Sequence, residues 1–145
     1  MIIAVLKEPA PETRVSLLPE HIATLHKWNC TVWIEQDAGR ASFAPDQKYI
    51  EAGAVIQDRA EILSDANLIL SINPLPESDL SQCQAPILLG FYQALVNAPV
   101  IKNWASKNFT VFSIDMLPRT TRAQSMDVLS SQANIAGYKA VLLAA

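Results

Sequence analysis

Glycine is scarce in this sequence, and its placement excludes more than its number. The four glycines are Gly39, Gly53, Gly90 and Gly137. None of their spacings forms the G-x-G-x-x-G turn that seats a dinucleotide pyrophosphate on a helix N-terminus, so the chain is not expected to hold a pyrophosphate that way by itself. A Walker A loop and a G-x-S-x-G elbow are also missing, which removes P-loop and α/β-hydrolase chemistry. Only two cysteines occur, Cys30 and Cys83, far apart and without a C-x-x-C pair. Reduced structural thiols are expected, with neither a disulfide nor a metal site. His21 and His26 lie five apart on one predicted helix and do not share a face, so surface or helix-end roles are expected. The net charge is -3 with no basic stripe, which gives no electrostatic reason to expect nucleic acid. No apolar run nears the roughly 20 residues of a membrane span, and Met1 to Leu6 is broken at once by Lys7 and Glu8, unlike a signal peptide. A soluble chain is expected.

The chain does contain short apolar runs in alternation with amphipathic stretches. Its 145 residues, 50% hydrophobic and 17% charged, suit one globular domain over 1–145. Strands are predicted over Ile2–Leu6, Thr31–Glu35, Asn67–Ile72, Pro86–Phe91 and Phe109–Ile114, with Ala54–Ile56 as a candidate edge strand. Pro19 suits the first turn of a helix whose Ile22, Leu25 and Trp28 share a face. Asp46–Ala52 reads as a helix closed by Gly53, and Asp58 as the N-cap of a helix containing Ile62 and Leu63. Glu77–Cys83 allows one or two helical turns, and Ala98–Lys107 a helix with Val100, Ile101 and Trp104 on one side. Strands alternating with helices imply βα units: an α/β fold, doubly wound, with a mostly parallel sheet and helices on both faces. A long terminal helix is predicted from near Gln124 to the end. It lacks a glycine cap or a basic last turn, which suggests a chain cut from something longer.

One stretch stands apart from these hydrophobic elements. Pro118 to Ala140 gathers arginines, amides, hydroxyls and a carboxylate just after the last predicted strand, where parallel sheets place ligand chemistry. Arg119 offers a planar fork of donors, Gln124 a donor and an acceptor, and Asp127 a charged acceptor. On a continuous helix Gln124, Asp127 and Ser130 or Ser131 would share a face able to read a carboxamide. A helix-capping cluster, with Ser125 or Gln124 satisfying free amides, explains the same residues equally well. Glu12 and Arg14 follow the first strand, at the edge where anions bind, although a surface arginine is the commoner outcome.

The block from Arg122-Ala123-Gln124-Ser125-Met126-Asp127 to Asn134-Ile135-Ala136-Gly137-Tyr138 resembles the N-terminal region of the proton-translocating NAD(P) transhydrogenase alpha subunit. Lys7-Glu8, Glu12-Thr13-Arg14-Val15, Pro19, Ala38-Gly39 and Ala52-Gly53-Ala54 agree with the wider family that this subunit shares with alanine dehydrogenase. The resemblance implies a Rossmann-like first lobe of a two-lobe NAD(H)-binding domain, whose absent second lobe carries the glycine-rich loop. It implies Arg119, Gln124, Asp127 and Ser130 as cofactor-binding residues, with Gln124 and Asp127 closest to the chemistry. It further implies hydride transfer between NAD(H) here and NADP(H) on a partner domain, coupled to proton translocation. Partner NADP-binding and membrane domains, a homodimer, and a place on the cytoplasmic side of the inner membrane belong to the same expectation, and the fragment alone is expected to be inactive. An alanine dehydrogenase-like lobe is the alternative. That family uses a lysine where this chain has Asn73 and a histidine where it has Gln93, and an amide cannot exchange the protons that reaction needs. A non-catalytic binding module is the third reading.

Overall fold

The structure, a computed structural model, describes residues 1–118 and 120–145. The expectations placed on Arg119 therefore lie outside the described residues. The described residues form a six-stranded sheet in the order β3-β2-β1-β4-β5-β6. Its strands are β1 (Ile2–Val5), β2 (Thr31–Glu35), β3 (Val55–Gln57), β4 (Leu68–Ser71), β5 (Ile87–Gly90) and β6 (Thr110–Ser113). Every pairing is parallel. The chain starts in the middle, winds out to β3, crosses back to β4 and winds out to β6. This is the Rossmann order, and the direction of winding reverses between β1 and β4.

The helices are α1 (Ile22–Lys27), α2 (Asp46–Glu51), α3 (Arg59–Asp65), α4 (Glu77–Leu80), α5 (Ala98–Ser106) and α6 (Val128–Ala144). Strands buried on both faces read as continuous apolar runs because successive side chains point opposite ways. In β1, Ala4 enters a core with Ile62 and Leu63 of α3, Leu80 of α4 and Trp104 of α5. Val5 enters the opposite core with Ile22 of α1 and Tyr49 of α2. The double winding expected from the sequence is therefore present, though the second face is covered mainly over β1–β3, and Phe112 on β6 stays half exposed.

Local chemistry explains most boundaries. Asp58 caps α3 by accepting from the Glu61 amide at 2.8 Å. Gly53 closes α2 at φ 97°, and a Cβ there would meet the His26 ring at 2.8 Å. Pro19 opens a 3₁₀ turn, Pro19–His21, and α1 itself begins at Ile22. The helical face predicted for Trp28 is not realised. The helix ends at Lys27, Asn29 takes φ 55°, and Trp28 is left 70% exposed. The long terminal helix also begins later than predicted. Thr121–Met126 is a 3₁₀ segment, and Asp127, with ψ 85°, breaks the chain before α6.

Candidate functional site

The C-terminal ends of β1, β4, β5 and β6 carry the polar side chains and the cavities. In a doubly wound sheet the crevice at the reversal point is where ligands bind, because no crossover helix closes it. Here one cavity of about 300 Å³ opens at that edge, lined by Arg14, Ser16, Ser71 and Gln132 among apolar neighbours from Leu70 to Leu129. A second, of about 220 Å³, lies between the end of β6 and the 3₁₀ segment, lined by Asp115, Gln124 and Asp127. Ile114 and Leu129 border both, so the two are adjacent.

Of the sequence-predicted residues, Gln124 and Asp127 line the second cavity, and Ser130 joins them through its hydrogen bonds to Asp127. Asp127 stands at the N-cap of α6; its carboxylate accepts from the Ser130 amide at 3.0 Å and from Ser130 Oγ at 2.6 Å. The short polar side chain satisfies the amide of Ser130, third in the helix and without an intrahelical partner, so α6 starts after Asp127 and not at Gln124. The capping role considered for Ser125 or Gln124 thus falls to Asp127, and Gln124 sits on a separate 3₁₀ turn, not on a helical face shared with Asp127 and Ser130. Gln124 is exposed at the cavity wall, and its amide is accessible to a ligand or partner. Ser130 gives its proton to Asp127 and keeps lone pairs for a donor from outside.

Other groups order this edge, and of these only Asn73 and Gln93 are singled out by the sequence. Asp115 fixes the loop after β5: it accepts from the Ala94 amide at 3.1 Å and from Ser113 Oγ. Gln93, in that loop, adopts φ 48° and is exposed. Asn73 is bound to the Glu8 carboxylate through its amide nitrogen and its side chain, both at 3.0 Å, while Ile72 N donates to the same carboxylate at 2.5 Å. At the end of β2, where Rossmann folds place an acid that holds a ribose, Glu35 is already engaged. It accepts from Lys7 N and from Arg59 Nη1, both at 2.7 Å, and Arg59 also donates to the buried Asp79 at 2.6 and 3.0 Å. From Leu6 to Leu18 the connection after β1 is a loop without a helix, so no helix N-terminus faces the crevice there.

Arg14 does not stand open as an anion receptor. Its guanidinium donates to Glu12 at 2.9 and 2.6 Å and to Gln132 Oε1 at 3.0 Å. The hydrogen bonds from Arg14 pull the Glu12 carboxyl down to about 2. Burial pushes the Tyr92 hydroxyl well above its ordinary range; it pairs with Ser71 Oγ at 3.1 Å beneath the first cavity. Gly90 makes this packing possible, since a Cβ there would lie 2.0 Å from the Ser71 carbonyl oxygen. Among the described residues no group of His, Cys, Asp and Glu is arranged to hold a metal ion, and no helix is long and apolar enough to cross a membrane.

Residues 4–136 match the family described as alanine dehydrogenase/PNT, N-terminal domain. The chain is 35% identical to NAD(P) transhydrogenase subunit alpha of Haemophilus influenzae over 100% of its own length and 28% of that protein. It superposes on the crystal structure of transhydrogenase from Sinorhizobium meliloti with a TM-score of 0.92 and 36% identity, covering 98% of this chain and 43% of the other. An L-alanine dehydrogenase structure shares the fold, with a TM-score of 0.71 and 24% identity over 79% of this chain and 32% of that one. The chain thus spans between 28% and 43% of the length of these relatives.

Proposed function

The chain belongs to the alanine dehydrogenase/PNT N-terminal domain family, and from that premise we propose that it is the first lobe of the NAD(H)-binding domain of a proton-translocating transhydrogenase. In this reading a second lobe, absent from the chain, holds the pyrophosphate, and this lobe closes over the nicotinamide. The observation that carries it is the cavity where the exposed Gln124 amide stands beside the capped Asp127–Ser130 pair.

A carboxamide needs one acceptor for its NH2 group and one donor for its oxygen, and those residue types converge here. Asp127 and the lone pairs of Ser130 Oγ would both accept from the carboxamide NH2 group and so set the ring face presented. Gln124 would reach toward an NADP(H)-bearing partner domain. The bound nicotinamide supplies the hydride chemistry, while the chain's residues hold it, orient it and exclude water, which accounts for much of such a rate enhancement. Direct transfer between two nicotinamides needs no protein acid or base. That agrees with an amide at Asn73, committed to Glu8, and another at Gln93, and it disfavours amino-acid dehydrogenation. A homodimer, coupling to proton translocation and a place on the cytoplasmic side of the inner membrane complete the proposal.

Gln124→Asn in the two-lobe enzyme tests the reading. Shortening the amide by one methylene displaces a contact made only as the two cofactors approach, and a shift of about an ångström costs roughly 10²-fold in rate. Stopped-flow hydride transfer should slow by that order while equilibrium NADH titration stays nearly unchanged. Loss of NADH affinity in proportion to rate would overturn the role given to Gln124.

A further inference from the structure

The terminal helix α6 leaves the domain almost unsupported. None of its residues is buried, and from Ser130 onward all are exposed. Its start lies against the 3₁₀ turn Ile114–Met116 that follows β6, where Val128 and Leu129 share a cavity wall with Ile114, and Asp127 caps the first turn. These contacts are all within one turn of each other, so they fix where the helix starts but leave its tilt free. A fixed direction requires a contact further along the axis. Gln132 provides it about 7.5 Å beyond Asp127 at the usual helical rise, by accepting from Arg14 Nη1 at 3.0 Å. Among the described residues this is the one hydrogen bond that ties α6 to another part of the fold.

The other end of the contact is held firmly. Glu12 takes the Arg14 Nε at 2.9 Å, Nη2 at 2.6 Å and the Arg14 backbone amide at 2.9 Å, so one edge of the guanidinium is fixed and Nη1 is aimed at α6. The loop beneath is anchored in turn, as Ser42 Oγ donates to Thr13 O at 2.6 Å and Tyr49 Oη to Leu17 O at 2.8 Å. We propose that Arg14 is a positioning residue: oriented by Glu12, it latches the loop after β1 to α6 through Gln132 and sets the angle at which Asp127 and Ser130 meet a ligand. The consequence for a nicotinamide rests on the function proposed above, whereas the latch itself does not.

Amide hydrogen exchange on the 145-residue chain, without cofactor, tests the latch. Arg14→Gln and Gln132→Leu should each speed exchange over Ser130–Asn134 roughly fivefold, as expected for losing a partly exposed hydrogen bond to a charged group. The strand amides should not change in either variant, and the thermal midpoint should not change in Gln132→Leu; Arg14→Gln also loses the Glu12 pairing and should melt somewhat earlier. Gln132→Glu keeps an acceptor and adds the opposite charge, so exchange there should be as slow as in the parent chain or slower. The swap Arg14→Gln with Gln132→Arg loses the Glu12 anchor and should stay fast. Unchanged exchange in both single variants, or acceleration spread equally over the strands, would overturn the proposal. Because no NADH is present, this result is independent of whether the lobe serves a transhydrogenase.

Discussion

Replacing Arg59 with methionine should remove the clamp that holds the functional edge together. The side chain sits at the start of α3 and reaches the loop after β1 through Lys7 O at 3.3 Å, β2 through Glu35, and α4 through Asp79. Methionine conserves most of the volume but none of the donors. Glu35 would keep the Lys7 amide, whereas Asp79, 8% exposed, would keep no side-chain donor among the described residues. Breaking a buried ion pair from one side costs about 3–5 kcal/mol because a charge is left desolvated. A third of the Arg59 side chain is exposed, at 33%, so water reaches the gap and reduces the cost to about 2 kcal/mol. That is a large fraction of the ~5–15 kcal/mol that holds a domain of this kind. With a urea slope of about 2 kcal/mol per molar, the unfolding midpoint should fall by about 1 M at constant slope. Arg59→Lys should fall between parent and methionine, since it restores charge without the fork. A methionine variant within about 0.5 kcal/mol of the parent, the range of an ordinary surface change, would refute the reasoning.

Asp127→Ala should destabilise α6 by about 1 kcal/mol and Asp127→Asn by only a few tenths, since asparagine also caps; exchange at the Ser130 amide would report both. Gly90→Ala should cost several kcal/mol or force β5 away from β4, because the new methyl would lie against the Ser71 carbonyl; thermal denaturation checks this. The Glu12 carboxyl should titrate near 2 by NMR and return toward the ordinary value in Arg14→Gln. Its folded-state pKa is depressed, so its stabilising contribution is present above the ordinary carboxylate pKa and is lost as pH falls toward 2. The chain without a second lobe should bind NADH weakly or not at all, and micromolar affinity by calorimetry would contradict that.

The strand pattern is readable because buried parallel strands must be apolar on both faces. Thr31–Glu35 is bounded to the residue, and the other runs differ by a single position at an end, because ladder hydrogen bonding does not stop where the apolar pattern does. Trp28 misleads because helical periodicity continues in sequence past the point where the backbone turns at Asn29. Gln124, Asp127 and Ser130 are legible as a cluster of polar residue types, but the periodicity places them on one helix and misses the break that a capping aspartate makes. The pairings that fix the edge are not legible. Arg14 with Gln132 spans 118 positions and Glu8 with Asn73 spans 65, and no local propensity encodes which distant side chain completes a hydrogen bond.

Whether the loop around Gln124 and the start of α6 face a nicotinamide is the question on which the proposed function turns. Intermolecular nuclear Overhauser effects between NADH and the complete two-lobe domain would answer it most directly. Contacts are expected from the nicotinamide ring and carboxamide protons to Gln124 and Ser130, and these should be lost in Asp127→Ala. NADH bound with its nicotinamide in contact with other residues, and no effect on this loop, would contradict the proposed function.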